Sequence, residues 1–408
     1  MGEIVGTFRT LRGAGAGLLL LTVALVGCGQ PGQTVPASSS ASPEPGFAAE
    51  LRPALVAKME QMQVPGAIVL VDIPGQGQWL AALGVGDLAT KAPMRADNHM
   101  RVGSVTKTMT ASLVLQLVDE GRVGLDDPVA RFVPEVPNGA NITVRQLLNM
   151  TSGLADYLAD EGLLRELDAH HDRAWTSAEL LAYAFAQPPN VPPGQKYEYI
   201  NTNYVLLGII AQKVTGQGLT QLFQQRLFDK LGMTNTSFPD PADASLPQPY
   251  AHGYDFFTNM EFDRALKAFQ ATNTQAPFIT ASPGAQPADT TMWNTSWAWA
   301  AGAGISTVAD LKIWAKEVAT GTLLKPDTQR QRLDFQGRPY GLGIEEFSQS
   351  VGHGGFLPGY QTHMAYFPDK QATLIVLTNL ETAPNVVPAT DFVTAVTLAQ
   401  IIRKQLFP

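Results

Sequence analysis

Ser104 and Lys107 stand three residues apart at the start of a long amphipathic run, Val105 to Glu120. Three residues make nearly one helical turn, so a helix would place the serine hydroxyl and the lysine amine on one side. Ser104 would then lie at the helix N-terminus, where free backbone N–H groups favour an oxyanion. A lysine of lowered pKa can accept the serine proton. The same spacing also occurs in soluble helices with a capping serine and a solvated lysine, so it does not decide the question alone.

Tyr199 and Asn201 form a second pair with chemical potential. They follow the loop Pro192-Pro193-Gly194-Gln195 and precede an apolar run, Tyr204 to Ile210. A tyrosine at such a loop mouth could relay protons, and an asparagine amide could hold a substrate carbonyl. The alternative is that Tyr199 packs and Asn201 caps the next helix.

His353-Gly354-Gly355 is the third constellation, and it follows the short β-rich run Ser350-Val351-Gly352. The glycines let a ligand approach the backbone closely, and the imidazole could polarise the site or bind a carboxylate. A lone histidine is otherwise usually structural, and we assign no role to the remaining ones: His99, His170, His171, His252 and His363.

The elements that must position these residues can be read from periodicity and turn signals. A helix is expected over Phe47 to Met62, and another over Val105 to Glu120 that ends at Gly121. A β-hairpin is expected from Pro65 to Ile73 and Gln78 to Leu83. The middle, from roughly Asp126 to Ala319, is mostly helical, with helix starts at Thr143 and Thr176.

The C-terminal part returns to strands, followed by a final helix from about Asp391 to Lys404. The expected strands are Tyr340 to Phe347, Ser350 to His353, Gln361 to Phe367 and Ala372 to Thr378. Strands at both ends with helices between them suggest one sheet assembled from the two termini, with an inserted helical region.

The N-terminus has the composition of an export signal. Arg9 and Arg12 precede the apolar run Ala14 to Gly27, which ends at Cys28, the single cysteine of the chain. This resembles a bacterial lipobox, in which the signal is cut before a cysteine that then carries lipid; a plain secretory signal is the alternative. We therefore expect residues 1–27 to be a lipoprotein signal peptide, 28–46 a flexible Pro/Ser/Gly-rich linker and 47–408 the folded domain.

Composition limits the partners. The chain of 408 residues has a net charge of −8 and no cluster of Lys and Arg, which argues against nucleic acid as a partner. We expect a membrane contact through lipid on Cys28, with the protein facing outward from the cytoplasm. The sequence gives no indication of a metal or cofactor and leaves the oligomeric state open.

S-x-x-K, Y-x-N and H-x-G, in that order, resemble the motifs of the serine beta-lactamase and D-Ala-D-Ala carboxypeptidase superfamily. The likeness is greatest to the branch of class C beta-lactamases, the Streptomyces DD-peptidase and related esterases, and it runs from about Pro65 to Asn379. It implies an α/β sandwich, a mainly antiparallel sheet flanked by helices with an inserted all-helical lobe. Three flanking segments share the likeness: Thr143 to Leu154, Gly302 to Leu311 and Gly352 to Tyr360.

The resemblance also implies roles. Ser104 would be acylated, Lys107 would assist its deprotonation and Tyr199 would be the general base and proton shuttle. The substrate-binding residues would be Asn201 at the acyl amide, His353 in place of the lysine of K-T-G, and Gly355 with Phe356, whose N–H would share the oxyanion hole with that of Ser104.

Two departures narrow the expected activity. A neutral imidazole attracts a substrate carboxylate less than an ammonium does, and Gly354 removes the threonine hydroxyl of K-T-G. The middle region also contains no E-x-x-L-N segment. A peptidase of the D-Ala-D-Ala carboxypeptidase type or an esterase is therefore favoured, with a beta-lactamase or an inactive envelope protein as alternatives, and a small peptide, ester or beta-lactam as substrate.

Selectivity would come from loops around the cleft, and Phe238 to Trp299 is the candidate segment. Its three tryptophans, Trp293, Trp297 and Trp299, fit either a pocket wall or core packing.

Overall fold

The apolar runs near both ends of the chain meet in one sheet. The computed structural model describes residues 44–272, 279–387 and 389–408. Residues 44 to 408 cluster as one compact unit. The expected signal peptide, Cys28 and the linker as far as residue 43 lie outside the described residues.

Within the described ranges the strands are short except where they build the large sheet. In chain order they are β1 (Gly66–Ile73), β2 (Gly77–Gly84), β3 (Met100–Arg101), β4 (Tyr254–Asp255), β5 (Ala288–Asp289), β6 (Ile305–Ser306), β7 (Glu345–Phe347), β8 (Ser350–Leu357), β9 (Tyr360–Phe367) and β10 (Ala372–Thr378). The large sheet has the order β2-β1-β10-β9-β8-β7, with antiparallel neighbours throughout. β3 pairs with β6, and β4 with β5. The expected antiparallel sheet built from both termini is confirmed.

The helices fill the space between the N-terminal hairpin and the C-terminal strands and cover the sheet. In the described part of the chain they are α1 (Ala48–Met62), α2 (Val105–Asp119), α3 (Val144–Leu148), α4 (Glu161–Ala169), α5 (Ser177–Phe185), α6 (Thr202–Thr215), α7 (Leu219–Phe223), α8 (Asp229–Leu231), α9 (Asn259–Thr272), α10 (Trp299–Gly302), α11 (Val308–Thr320), α12 (Pro326–Arg332) and α13 (Thr394–Leu406). A π-helical turn, Gln224–Phe228, joins α7 to α8. Across the described residues, no helix has both the length and the apolar composition that a bilayer crossing needs.

Both faces of the sheet are buried, as the apolar run Ala67 to Val71 in β1 shows. Val69 and Val71 point into the core beneath α1 and α13, whereas Ile68 and Leu70 point into the larger core that contains α2, α6 and α11. Alternate residues of a strand face opposite sides, so an apolar residue at every position means a helix layer on each side. The catalytic candidates lie on the side of α2.

Local sequence signals predicted the helix starts correctly. Thr143 and Thr176 each accept a hydrogen bond from the backbone N–H three residues later, and the side chains of Gln146 and Glu179 bond back to complete capping boxes. Gly121 has a positive φ of 71° just past α2, as a C-terminal glycine requires.

The expected strand from Tyr340 to Phe347 is shorter in the structure, because β7 begins only at Glu345. Gly343 adopts a φ of +76°, and a Cβ there would lie 2.1 Å from the Cβ of Ala111 on α2. The chain therefore turns at Gly343 to pack against α2 before it enters the sheet. β8, in contrast, runs beyond the expected His353 as far as Leu357.

Candidate active site

Ser104 occupies the position immediately before α2, where it is the N-cap residue. Gly103 before it has a φ of +54°, and a Cβ at Gly103 would lie only 2.5 Å from the backbone nitrogen of Phe356. Only glycine permits both this left-handed conformation and this close approach. The tight turn thus presses the start of α2 against β8 and presents Ser104 at the junction.

Lys107 lies one turn further along α2 and faces Ser104. Its Nζ is 2.8 Å from Ser104 Oγ and donates a second hydrogen bond of 2.8 Å to the carbonyl of Ala301. The residue is 0% exposed, and this burial lowers the pKa of the amine to about 7, against the opposing charges of Asp156 and Glu345. A substantial fraction of Lys107 is therefore neutral near pH 7 and able to accept the serine proton.

Tyr199 lies over the same amine. Lys107 Nζ is 4.8 Å from the centre of the Tyr199 ring, and the residue is 36% exposed, so solvent reaches it. Desolvation around the hydroxyl and then the charge of Glu345 raise the pKa of Tyr199 well above its usual value, although a hydrogen bond with Ser104 acts the other way. The resting Tyr199 therefore carries its proton.

Asn201 is held in place by a carboxylate that the motifs do not include. Both the backbone N–H and the side-chain amide of Asn201 donate to the same oxygen of Asp156, over 3.1 and 2.9 Å. Burial raises the pKa of Asp156, whereas these hydrogen bonds and the charge of Lys107 act in the opposite direction. Asp156 thereby fixes the orientation of the Asn201 amide, for which the resemblance predicts a contact with the substrate.

His353 is only 1% exposed and has partners at both ring nitrogens. Its Nε2 is 2.9 Å from the Tyr340 hydroxyl, and its Nδ1 bonds to the carbonyl of Gly354. Burial lowers the pKa of the imidazole. The charge of Glu345 acts in the opposite direction, and the charge of Lys107 lowers the pKa further. The centre of this buried, neutral ring lies 6.2 Å from that of Tyr199.

Glu345 is a further charged group that sequence reasoning missed. It lies on β7 opposite Gly352, and its Oε2 accepts a 2.8 Å hydrogen bond from the N–H of Gly354. The side chain is 25% exposed, and its charge affects the pKa of both Lys107 and Tyr199. Nothing in the local sequence marked it, because the contact depends on the register of two strands.

The backbone of β8 passes directly over Ser104. A Cβ at Gly355 would lie 3.3 Å from the nitrogen of Ser104 and 2.0 Å from the carbonyl oxygen of Val102, so no side chain fits there. The Phe356 nitrogen lies against Gly103 on the same side. The backbone nitrogens of Ser104 and Phe356 therefore both lie at the contact between the Gly103 turn and β8, which is where the resemblance predicts the two donors of an oxyanion hole.

Residues 51–398 match the beta-lactamase family, and the chain belongs to that family. Its fold is that of the beta-lactamase/transpeptidase-like superfamily of serine hydrolases, as the resemblance implied.

Two curated relatives share part of this chain. Protein flp of Staphylococcus aureus (strain N315) is 32% identical over 188 residues, which are 44% of this chain and 36% of flp. Penicillin-binding protein 4* of Bacillus subtilis is 26% identical over 311 residues, 74% of this chain and 65% of that protein. The chain thus spans about a third of the first relative and less than two thirds of the second.

Solved structures match over more of their length. A D-stereospecific amidohydrolase from Streptomyces sp. has 29% identity and a TM-score of 0.69, covering 86% of this chain and 99% of its own. The D-amino acid amidase of Ochrobactrum anthropi SV3 has 25% identity and a TM-score of 0.70, covering 87% and 99%.

Proposed function

We propose that the protein hydrolyses amides or esters through an acyl-enzyme on Ser104, with preference for leaving groups that carry no carboxylate. The observation that carries the proposal is the 2.8 Å contact between Ser104 Oγ and the Nζ of a fully buried Lys107. A buried lysine with no carboxylate bonded to it pays for desolvation with a lowered pKa, and that property makes it useful as a base.

The groups divide the proton transfers between them, with Lys107 as the base instead of Tyr199, because burial lowers the pKa of Lys107 and raises that of Tyr199. Neutral Lys107 takes the proton of Ser104 as Oγ bonds to the substrate carbonyl carbon, and the amides of Ser104 and Phe356 stabilise the oxyanion. Tyr199 then gives its proton to the leaving nitrogen or oxygen and recovers one from Lys107, so the bond to the leaving group breaks with charge balanced. A water molecule then attacks the acyl-enzyme in the same way. Lys107 takes the proton of the water, Tyr199 gives its proton to Ser104 Oγ as the ester bond breaks, and Tyr199 recovers a proton from Lys107.

The leaving-group side of the cleft supports the stated preference. We place the leaving group beside Tyr199, the proposed proton donor, whose ring centre lies 6.2 Å from that of the neutral His353. Nδ1 of His353 is 3.9 Å from the partly exposed carboxylate of Glu345. A departing carboxylate, such as that of D-alanine, would be repelled there by Glu345, and the neutral His353 supplies no positive charge to offset the repulsion. An uncharged amide or ester leaving group avoids this repulsion. The names of two structural relatives, a D-stereospecific amidohydrolase and a D-amino acid amidase, agree with an amidase.

A D-Ala-D-Ala carboxypeptidase is the second candidate, favoured by the similarity to penicillin-binding protein 4*. The two candidates are separated by kcat/KM for D-alanine amide and D-phenylalanine amide against an acylated D-Ala-D-Ala peptide and a p-nitrophenyl ester. We expect the amides to be preferred to the peptide by about tenfold or more, and Ser104→Ala to be inactive on all of them.

Glu345→Gln is the variant that tests the leaving-group argument, with Glu346→Gln as its matched control. Glu346 is the next residue on β7 and is exposed. Removal of the Glu345 charge should raise kcat/KM for the D-Ala-D-Ala peptide about tenfold relative to the amides, whereas the control should not change the ratio. A wild type that prefers the peptide would overturn the substrate assignment, and a wild type inactive on every substrate would overturn the hydrolase assignment.

We also propose that the protein is an exported lipoprotein anchored through Cys28. The support is the apolar run that ends at this single cysteine. Metabolic labelling with a fatty acid should mark the protein in its native host, and Cys28→Ala should lose the label; a label that persists in the variant would contradict the anchor.

A further inference from the structure

The edge of β8 that lies beside Ser104 is only partly covered by a neighbouring strand. β7 pairs with β8 as far as Gly352, which lies opposite Glu345, the first residue of β7. Gly354 and Phe356 come next on the same edge, because alternate residues of a strand direct their backbone N–H groups to the same side. On the side of β7, no strand of the described residues pairs with this stretch. A substrate can therefore lie along the edge from Gly354 to Phe356.

Glu345 places a carboxylate at one end of this edge. Its Oε2 accepts a 2.8 Å hydrogen bond from the N–H of Gly354. Gly354 lies two residues before Phe356, whose backbone nitrogen lies against the turn before α2, and two residues of strand span about 7 Å. His353, which precedes Gly354, has its ring centre 6.2 Å from that of Tyr199, the proposed proton donor to the leaving group. The carboxylate of Glu345 therefore lies at the leaving-group end of the edge.

No described side chain neutralises the charge of Glu345. The side chain is 25% exposed, and the bond from Gly354 is the one hydrogen bond that this carboxylate forms with the described residues. Across the same part of the chain, no lysine or arginine forms an ion pair with Glu345, and Nδ1 of His353, 3.9 Å away, belongs to an imidazole whose pKa is lowered by burial. A carboxylate in this position attracts a cation and repels an anion.

Two tyrosine rings lie beside the same carboxylate. Tyr340 forms a backbone bridge with Glu345, and its ring centre is 6.2 Å from that of Tyr197 and 6.1 Å from that of Tyr199. Tyr197 is partly buried and Tyr199 is exposed, so solvent reaches both rings. Burial and then the charge of Glu345 raise the pKa of Tyr197 to about 12, which shows that the carboxylate is close to this ring. The faces of aromatic rings attract cations, as the carboxylate does.

We propose that Glu345, Tyr197 and the open edge at Gly354 form a subsite for a positively charged group on the leaving side of the substrate, about 7 Å along β8 from the expected oxyanion position. This rests on the proposed hydrolase function and specifies its substrate class. The proposed function disfavours a carboxylate on the leaving group, whereas the subsite selects a cation. Suitable leaving groups are amines or alcohols that carry a primary ammonium on a short chain. The leaving atom takes its proton from Tyr199, and the ammonium keeps its own protons throughout.

The test compares two amides of D-phenylalanine in the full chain, the 4-aminobutyl amide and the pentyl amide, with D-phenylalanine amide as the reference substrate. The two alkyl leaving groups have nearly equal length and differ in one terminal ammonium group. The intrinsic reactivity of each amide is the same for every variant, so a change in the ratio of their kcat/KM values reports on the protein. Wild type should prefer the 4-aminobutyl amide about tenfold. The preference should shrink in about 1 M salt, because salt screens a partly exposed charge pair.

Glu345→Gln should lower that ratio to near one. The amide oxygen of glutamine can still accept the hydrogen bond from Gly354, so the substitution removes the charge and keeps the contact with the edge. The matched control, Glu346→Gln, removes the exposed carboxylate of the next residue on β7 and should keep the wild-type ratio. Tyr197→Leu should lower the ratio about threefold, whereas Tyr197→Phe, which retains the ring, should not change it.

The possible failures are distinguishable. Equal kcat/KM for the two alkyl amides in wild type, with D-phenylalanine amide hydrolysed, would overturn the cation subsite and leave the hydrolase intact. A preference for the 4-aminobutyl amide that survives in Glu345→Gln would overturn the location of the subsite. No hydrolysis of any of the three amides would contradict the proposed amidase activity and, with it, the subsite. Should Glu345→Gln not fold, the Tyr197 variants decide, and an unchanged ratio in Tyr197→Leu would contradict the subsite.

Discussion

The centre at Ser104 and the buried carboxyl pair of Asp255 and Glu381 are built in different ways. Ser104 and Lys107 are neighbours on one helical turn, and their contact follows from three residues of spacing. Asp255 and Glu381 are hydrogen-bonded to each other from two distant segments, which only the fold brings together. The comparison shows why a reaction type can be inferred from short motifs, whereas pairs that depend on long-range packing cannot.

Burial also acts in opposite chemical directions in the two regions. At the centre, it removes charge from a base, because the pKa of Lys107 is lowered to about 7. At the carboxyl pair, burial removes charge from an acid, because desolvation and then the charge of Asp255 raise the pKa of Glu381. The first region becomes a proton acceptor, whereas in the second a buried carboxylic acid keeps its proton.

The largest expected effect is on catalysis. Lys107→Met removes the base and should lower kcat/KM about 10³-fold on a neutral substrate such as 6-hydroxyhexanoyl p-nitroanilide, since general-base catalysis contributes that order of rate. Glu381→Gln, in the other region, should change the same rate less than twofold. Activity that survives undiminished in Lys107→Met would contradict a role of Lys107 in proton transfer.

The pH dependence of kcat/KM provides a second test of Lys107. Because neutral Lys107 is the acceptor, kcat/KM for the uncharged 6-hydroxyhexanoyl substrate should rise with pH through about 7 and then level off. Stopped-time assays between pH 5 and 9 measure it. A flat profile across this range would contradict Lys107 as the base.

A smaller effect is expected when Asn201 or its hydrogen-bond acceptor Asp156 is changed. Asn201→Ala should lower kcat/KM about tenfold, and Asp156→Asn somewhat less, because Asp156 acts by orienting the Asn201 amide. The double variant should lose no more than Asn201→Ala alone. Additive losses measured in that cycle would show that Asp156 has a separate role.

A separate effect is expected on the pH dependence of stability. The pKa of Lys107 is depressed in the folded state, so the unfolded chain binds this proton more tightly and the wild type is penalised below pH 7. The penalty should fade by about 1.4 kcal/mol per pH unit between about pH 7 and 10. Denaturant unfolding of Lys107→Met and wild type measures it: their difference should change with this slope, and a constant difference would contradict the lowered pKa.

Much of the fold followed from local signals. The capping threonines Thr143 and Thr176, the N-terminal hairpin and the buried strand β10 all appear where periodicity and turn residues predicted them. These features depend on neighbours in sequence, which is why the sequence alone was sufficient.

The rest depended on contacts that spacing does not encode. Asp156 lies 45 residues before Asn201, and Glu345 reaches Gly354 only through strand register. Two of the tryptophans that fitted either a pocket wall or core packing have different surroundings. Trp299 is 8% exposed and lies in the core, whereas Trp293 stacks on His171 at 3.6 Å and lines a small cavity beside Pro358. Aromatic residues follow the same packing rules in both places, so composition could not separate them.

The most direct test of the central claim is covalent labelling of the serine. The folded protein is treated with a fluorophosphonate, and intact-mass and peptide mass spectrometry locate the adduct. We expect one adduct, on Ser104, formed faster as pH rises through about 7 and absent from Ser104→Ala. An adduct on another residue, or one that persists in Ser104→Ala, would contradict the assignment of Ser104 as the nucleophile.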